Sequence, residues 1–196
     1  MKTFCHNGII CVLTVLALAG CTVNTPKQTA TAVPVERRSY HGAENQYFYF
    51  TAAQVQRKKG NLDRAVLLLR KAIEHDPESL YLQRELATVY IQNKEDDKAL
   101  EVLEGLLQND PNDIKSLIIY GGTKQVRKEN EDAIAAYEKI LTLDPKQERI
   151  YSLLGGLYMD AGELERAKDI FNRQAENFPG SYSAHFFLGK IHAQQG

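Results

Sequence analysis

Four stretches decide the fold: RAVLLLRKAIEHDPESL at residues 64–80, KALEVLEGLLQNDPNDI at 98–114, DAIAAYEKILTLDPKQE at 132–148 and RAKDIFNRQAENFPGSY at 166–182. Aligned on their prolines, Pro77, Pro111, Pro145 and Pro179, they recur at one constant step. Asp precedes three of the four, as Asp76, Asp110 and Asp144. Ala65, Ala99, Ala133 and Ala167 keep one fixed distance ahead of each Pro, and Leu69, Leu103, Tyr137 and Phe171 keep a shorter one. Ala53, Ala87, Gly121 and Gly155 hold a third register, further upstream. Four registers held across four copies mark an internal repeat, and a period of roughly 20–50 residues is that of a repeat array.

Each copy reads as two amphipathic helices, with apolar residues at i, i+3, i+4 and i+7. The small residue of the first helix and the repeated Ala of the second let the two approach closely. Pro cannot continue the helix it follows and suits the first turn of the next. Gly60 and Gly162 fall in the turn inside a copy, where a left-handed residue is wanted, and Lys94 and Lys128 replace Gly there in the middle copies. The helices so read are 45–59 and 62–75, 79–92 and 96–109, 113–127 and 130–143, 147–161 and 164–177, with a last one at 181–194. No segment alternates with period two, so no sheet is expected. One pair cannot bury its apolar face alone, and stacking of three or more pairs supplies the core.

This pattern resembles the tetratricopeptide repeat, whose unit of about 34 residues carries small, Ala, large apolar and Pro positions in this order. The resemblance covers about Glu44 to Gly196. It implies an all-α solenoid of antiparallel helix pairs, with repeats at about 46–79, 80–113, 114–147 and 148–181 and a partial fifth at 182–196. The fifth carries Leu188 and Gly189 in register and stops at Gly196, where its internal turn should fall. Its helix is apolar for a cap, with Phe186, Phe187, Leu188 and Ile191, and the reading favoured is an array that continues.

Ahead of the array, Ile9 to Ala19 is an uncharged, largely apolar run behind Lys2. It is shorter than the roughly 20 residues that span a bilayer and fits the apolar region of a secretory signal peptide. Leu18-Ala19-Gly20-Cys21 resembles the lipobox of a bacterial lipoprotein. That resemblance implies removal of residues 1–20 and acylation of Cys21 by more than one chain, which holds a protein stably at a membrane. Thr22, where an Asp would favour the inner membrane, implies the outer membrane, facing the periplasm. Residues 21–43, rich in Thr, Ala, Val and Pro, read as a flexible tether. With Cys5 and Cys11 in the signal and Cys21 acylated, the three cysteines leave no disulfide in the mature chain.

Across the chain 24 basic residues meet 25 acidic ones, and 43% of residues are apolar. The composition is globular and lacks the basic excess of a nucleic-acid binder. It holds no phosphate-binding Gly-rich loop, no G-x-S-x-G and no H-E-x-x-H. Gly121-Gly122 and Gly155-Gly156 read as packing glycines. His185 and His192 could share a helix face, but no third metal ligand follows. The expectation is a protein that is not an enzyme, with no cofactor, no metal and no small-molecule substrate.

The family resemblance implies instead a concave groove, lined by the first helices, that holds a partner polypeptide. Its positions carry over as Tyr47, Phe50, Gln54 and Arg57 in the first repeat and Tyr81, Arg84, Thr88 and Ile91 in the second. Lys115, Ile118, Gly122 and Gln125 follow, then Arg149, Ser152, Gly156 and Met159, then Ser183, Phe186 and Lys190. Five of these are cationic and none is anionic, with aromatics gathered at the N-terminal end. That suits a peptide with acidic residues or a free carboxylate. The Asn residues with which chaperone-binding members clamp a C-terminal carboxylate are absent. The function so read is a lipid-anchored scaffold of the bacterial envelope. Two alternatives stay open: a pilotin-like assembly factor for a pilus or secretion pore, and the targeting arm of a longer enzyme whose catalytic domain lies beyond residue 196. Cys21→Ser is expected to abolish incorporation of labelled palmitate in cells; label still entering the variant overturns the lipobox reading.

Overall fold

The computed structural model describes residues 45–195, and there every regular element is an α-helix. They are α1 (Gln46–Lys58), α2 (Leu62–His75), α3 (Leu80–Gln92), α4 (Asp96–Asn109), α5 (Ile114–Val126), α6 (Asn130–Leu143), α7 (Glu148–Asp160), α8 (Leu164–Asn177) and α9 (Tyr182–Gln195). The helices pack as consecutive antiparallel pairs, α1 with α2 through α7 with α8, and α9 lies against α8. The expected signal segment, Cys21 and the expected tether lie outside the described residues. Every helix end falls within one residue of the sequence reading, because strong backbone breakers mark the ends.

Inside each pair the turn is the same. Gly60, Lys94, Lys128 and Gly162 adopt left-handed backbone, with φ of 77°, 61°, 64° and 76°. Gly60 N–H donates to the Arg57 carbonyl and Asn61 N–H to the Gln56 carbonyl, both at 3.0 Å, and the later repeats make the same two bonds. This double bond pattern closes a helix C-terminus over one left-handed residue. A lysine there costs roughly 1–2 kcal/mol relative to right-handed backbone, and the two repeats that use Lys carry that strain. Between pairs, Ser79 N–H reaches back to the Asp76 carbonyl and Asp113 N–H to the Asp110 carbonyl, each at 3.2 Å. The prolines therefore occupy the second position of a four-residue turn. The next helix starts after that turn has closed, so Pro shapes the connection and is not part of the helix's first turn as expected.

Packing inside the pairs depends on the small residues. Ala65, Ala99, Ala133 and Ala167 are fully buried. A Cβ on Gly121 would stand 2.8 Å from Tyr137 Cε1, and one on Gly155 would press into the Phe171 ring, 2.8 Å from its Cε1. Their neighbours behave differently. A Cβ on Gly156 would meet nothing within 4 Å, and one on Gly122 only the Tyr137 hydroxyl at 3.9 Å. The expectation that all four are packing glycines is corrected: Gly121 and Gly155 are, and Gly122 and Gly156 are not.

Packing between pairs uses the third and tenth residues of each first helix. Leu82 and Val89, Ser116 and Thr123, Ile150 and Leu157, and Ala184 and Ile191 are all buried. In α1, which follows no described helix, the equivalents Phe48 and Val55 are 53% and 44% exposed. Ile191, expected to need a further helix to cover it, is already fully buried against repeat four. Phe187 is half-buried and stacks on Phe171, ring centroids 4.8 Å apart.

The fully buried apolar residues fall into groups along the array, and half-buried side chains bridge them, Tyr120 packing against the groups on both sides of the junction between repeats two and three. One cluster extends from Leu117 to Ile191 and another from Ala53 to Leu106. The division falls where α5 presents Ser116 and Thr123 to repeat two. Both hydroxyls are satisfied locally: Ser116 donates to Asp113 Oδ2 at 2.5 Å and Thr123 to the Ile119 carbonyl at 2.8 Å.

The glycine contrast gives a direct test. Gly155→Ala is expected to destabilise by about 1–3 kcal/mol through overpacking. Gly156→Ala is expected to stabilise by about 0.5–1 kcal/mol through helix propensity. Urea unfolding midpoints that shift in the same direction for both would refute the assignment.

Candidate peptide-binding face

The first helices α1, α3, α5, α7 and α9 follow one another through the array, and their second, fifth, ninth and twelfth residues share a face. Side chains on this face meet across neighbouring helices. Phe50 and Tyr81 pack edge to face with centroids 5.4 Å apart. Gln54 and Arg57 both donate to Glu85 Oε2, at 2.9 and 3.0 Å. Arg84 donates to Asp113 Oδ2 at 2.7 Å. Ile91, Ile118 and Gly122 line one notch between α3 and α5, together with Ile119, Val126, Thr123 and Asp96. Ser152 and Ser183 approach to 3.3 Å. The remaining expected residues line the same helices without bridging them. Tyr47 and Phe186 stand 71% and 53% exposed, and Tyr81, though it bridges to Phe50, is still 51% exposed. Thr88 folds onto its own helix, donating to the Arg84 carbonyl at 2.9 Å. Met159 is half-buried against the core. Gln125 accepts from the buried Tyr137 hydroxyl at 2.9 Å. Burial pushes that hydroxyl's pKa up, and the positive charge of Arg149 works against the rise.

The five cations are not equivalent. Glu85, one residue from Arg84 and outside the expected groove positions, turns toward α1 and neutralises Arg57. Arg84 and Asp113 form an ion pair in which each side chain is only 14% exposed. Among the described residues, Lys115, Arg149 and Lys190 have no carboxylate within ion-pair distance. The free positive charge therefore belongs to α5, α7 and α9, and the N-terminal half of the face is aromatic and charge-compensated.

Two residues near this face were not foreseen. Gln174 is fully buried at a register that holds Ala72, Leu106 and Ile140 in the other repeats. Its Nε2 donates to Ser183 at 2.9 Å, Ser181 at 3.0 Å and Ser152 at 3.2 Å. Its Oε1 is buried without a partner. The break in the apolar register was the available signal, and Ser181 carries no such signal.

Away from the face, charges tie the helix pairs along one edge. Arg127 bonds Asp97 at 2.5 Å and Glu129 at 2.6 Å, while Lys124 bonds Glu129 and Asp132 at 2.6 and 2.9 Å. Those two carboxylates hold the Lys124 ammonium above its ordinary pKa. Arg166 and the Tyr158 hydroxyl of repeat four share Glu138 of repeat three. Among the described residues no group of three or more His, Cys, Asp or Glu side chains is placed to hold a metal ion. His185 Nε2 lies 3.1 Å from the Pro179 carbonyl. No described helix is long and apolar enough to cross a membrane.

The family model of the tetratricopeptide repeat matches residues 56–118 and 127–186, and the chain belongs to that family. Arrays of this kind are protein–protein interaction scaffolds. Among solved structures, the chain is similar to MamA protein, at 22% identity over 77% of this chain and 82% of that one, with a TM-score of 0.66. It is similar to MamA 41-end from Desulfovibrio magneticus RS-1, at 19% identity over 76% and 85%, with a TM-score of 0.65. A tetratricopeptide repeat protein from Parabacteroides merdae ATCC 43184 aligns at 21% identity over 76% of this chain and 60% of that chain, with a TM-score of 0.68. At these identities the likeness is one of fold. No curated protein matches the sequence.

Asp113 gives the face a pH dependence. Burial alone would raise its pKa, but the Ser116 hydroxyl and the Arg84 guanidinium outweigh burial and hold it below the usual value. A depressed carboxylate stabilises the fold above its unfolded pKa, near 3.9, and that contribution is lost as pH falls through the folded value. Asp113→Asn is expected to lower stability by about 1–3 kcal/mol at neutral pH, where a buried charged partner is left unmatched. The gap from wild type should close as pH falls below about 4. A gap that stays constant into acid would show that Asp113 acts by packing alone.

Proposed function

We propose that this protein is a lipid-anchored scaffold of the bacterial envelope that docks a partner polypeptide on its first-helix face. The observation that carries the proposal is the composition of that face. Tyr47, Tyr81 and Phe186 stay more than half exposed on helices whose other side is buried, and Lys115, Arg149 and Lys190 share the face without ion-pair partners among the described residues. Exposed aromatics and unmatched cations gathered on one surface suit partner recognition better than solvation. The Leu18-Ala19-Gly20-Cys21 sequence supports the anchor, and Thr22 supports the outer membrane. A tether of about 22 residues has an r.m.s. span of about 25 Å, enough to hold the array clear of the lipid while it remains attached.

The test needs one variant in each half of the face, neither touching the core. Tyr81→Glu with Arg149→Glu should leave far-UV circular dichroism unchanged. It should reduce partner capture from envelope extract at least about tenfold, the effect of about 1.4 kcal/mol. Capture at the wild-type level with helicity intact would move the binding surface to the outer helices.

A further inference from the structure

We infer that the C-terminal half of this face, from α5 to α9, seats an acidic, apolar-anchored peptide segment of a partner protein whose backbone runs over Gly122 and Gly156. The inference rests on the scaffold reading above and assigns the place and chemistry of the contact.

The glycines are the first support. Gly122 and Gly156 lie inside α5 and α7, one repeat period apart, at the ninth position of each helix. The same position holds Gln54, Thr88 and Lys190 in α1, α3 and α9. A glycine inside a helix is unfavourable, and a side chain at either place would meet almost nothing of the protein itself. The fold does not require glycine there, as it does not at Gly105 of α4 or Gly189 of α9, and what sets Gly122 and Gly156 apart is one shared register on neighbouring first helices. A backbone lying close against two successive helices can use that pair.

The surroundings define the guest. The notch between α3 and α5 beside Gly122 is lined by Ile91, Ile118, Ile119 and Val126, with Thr123 and the Asp96 carboxylate completing it, so its apolar part suits an apolar anchor and the acidic residues of the guest belong at Lys115 and Arg149, not in the notch. Lys115 stands one turn before Ile118, and Arg149 occupies the same register on α7. Both cations are exposed and unmatched among the described residues. They complement Asp or Glu flanking the apolar anchor. Beside Gly156 the floor turns polar. Gln174 is fully buried with an unpartnered Oε1, and Ser152 and Ser183 link its amide to the open face. The Ser152 and Ser183 hydroxyls bond each other and accept from the Gln174 amide, and their remaining lone pairs and rotatable protons can take a peptide group lying over α7. The segment between Cys21 and α1 is a poor occupant, because Lys27, Arg37 and Arg38 outnumber Glu36 and Glu44.

A random dodecapeptide display library selected on the purified protein provides the probes. Enriched peptides, synthesised and titrated by fluorescence anisotropy, should carry at least two Asp or Glu around an apolar residue. Their affinity should fall at least tenfold on Gly156→Leu, and also on Lys115→Glu with Arg149→Glu. It should change less than threefold on Tyr47→Ala with Tyr81→Ala. Thermal melts separate binding from folding, since Gly156→Leu should melt no lower than wild type. Peptides that lose affinity on the tyrosine variant and not on the others would keep the scaffold reading and overturn this placement. Peptides indifferent to all three variants, or no enrichment at all, would overturn the scaffold reading itself. Self-association abolished by the Lys115 and Arg149 reversal, seen by analytical ultracentrifugation, would make the occupant a second copy and overturn the acidic-partner assignment.

Discussion

In each pair the second helix leans on the first through one large side chain set against a residue with little or none. Leu69 and Leu103 belong to the same buried cluster as Ala53 and Ala87, while Tyr137 and Phe171 face Gly121 and Gly155. Where the large partner gains a ring, the small partner loses its methyl, so the summed volume is roughly kept. Close-packed interiors tolerate swaps of that kind and resist uncompensated ones. This contact sets the spacing within a pair. That spacing in turn determines how the third and tenth residues of the first helix meet the preceding repeat, and which residues are left on the face. The left-handed turn and the proline turn only reverse the chain between these contacts.

The junction between repeats two and three interrupts this regularity in a way that bears on the face. Ser116 and Thr123 replace the apolar residues found at the equivalent places of α3, α7 and α9, and apolar packing across this junction falls to half-buried side chains such as Leu107, Ile119 and Tyr120. Polar contacts partly take over. Asp113 at the start of α5 gathers the Ser116 hydroxyl and the Arg84 guanidinium. A half-buried ion pair of this sort depends on both members, because removing one leaves the other poorly solvated. Arg84 is therefore part of how repeat three is attached to repeat two, although its register alone makes it a groove cation. The same junction divides the surface into an aromatic, charge-compensated half and a half with free positive charge.

Helices, turns and the order of the pairs were legible in the sequence because they follow from residues that act locally. Gly60 and the prolines change what the backbone can do wherever they stand, and the constant repeat register multiplied each signal four times. The partners of the face residues were not legible. Glu85 neutralises Arg57 from the neighbouring helix, and nothing along the chain reveals which way its carboxylate turns. Ile191 reads as uncovered in the sequence because its burial comes from repeat four and not from its own copy. Gln174 did interrupt the apolar register, but three serines from α7, α9 and the loop between α8 and α9 make it tolerable, and those contacts exist only once the pairs are stacked.

The clearest case of what sequence spacing leaves undecided is a pair of adjacent glycines. Gly155 and Gly156 are the same residue type, one peptide apart, repeated one period earlier as Gly121 and Gly122. Periodicity treats each doublet as a unit. One helical step turns a side chain by about 100°, so the first glycine points at its partner helix and the second at the open face. For Gly155 the cost of glycine is offset by the Phe171 ring that occupies the space a Cβ would need. For Gly156 no such return exists within the protein, since the space above it is empty of protein atoms. Gly105 and Gly189 are helical glycines with equally open space, but only Gly122 and Gly156 share one register on neighbouring first helices. On this surface that pair lies beside the unmatched cations of α5 and α7 and the buried amide of Gln174.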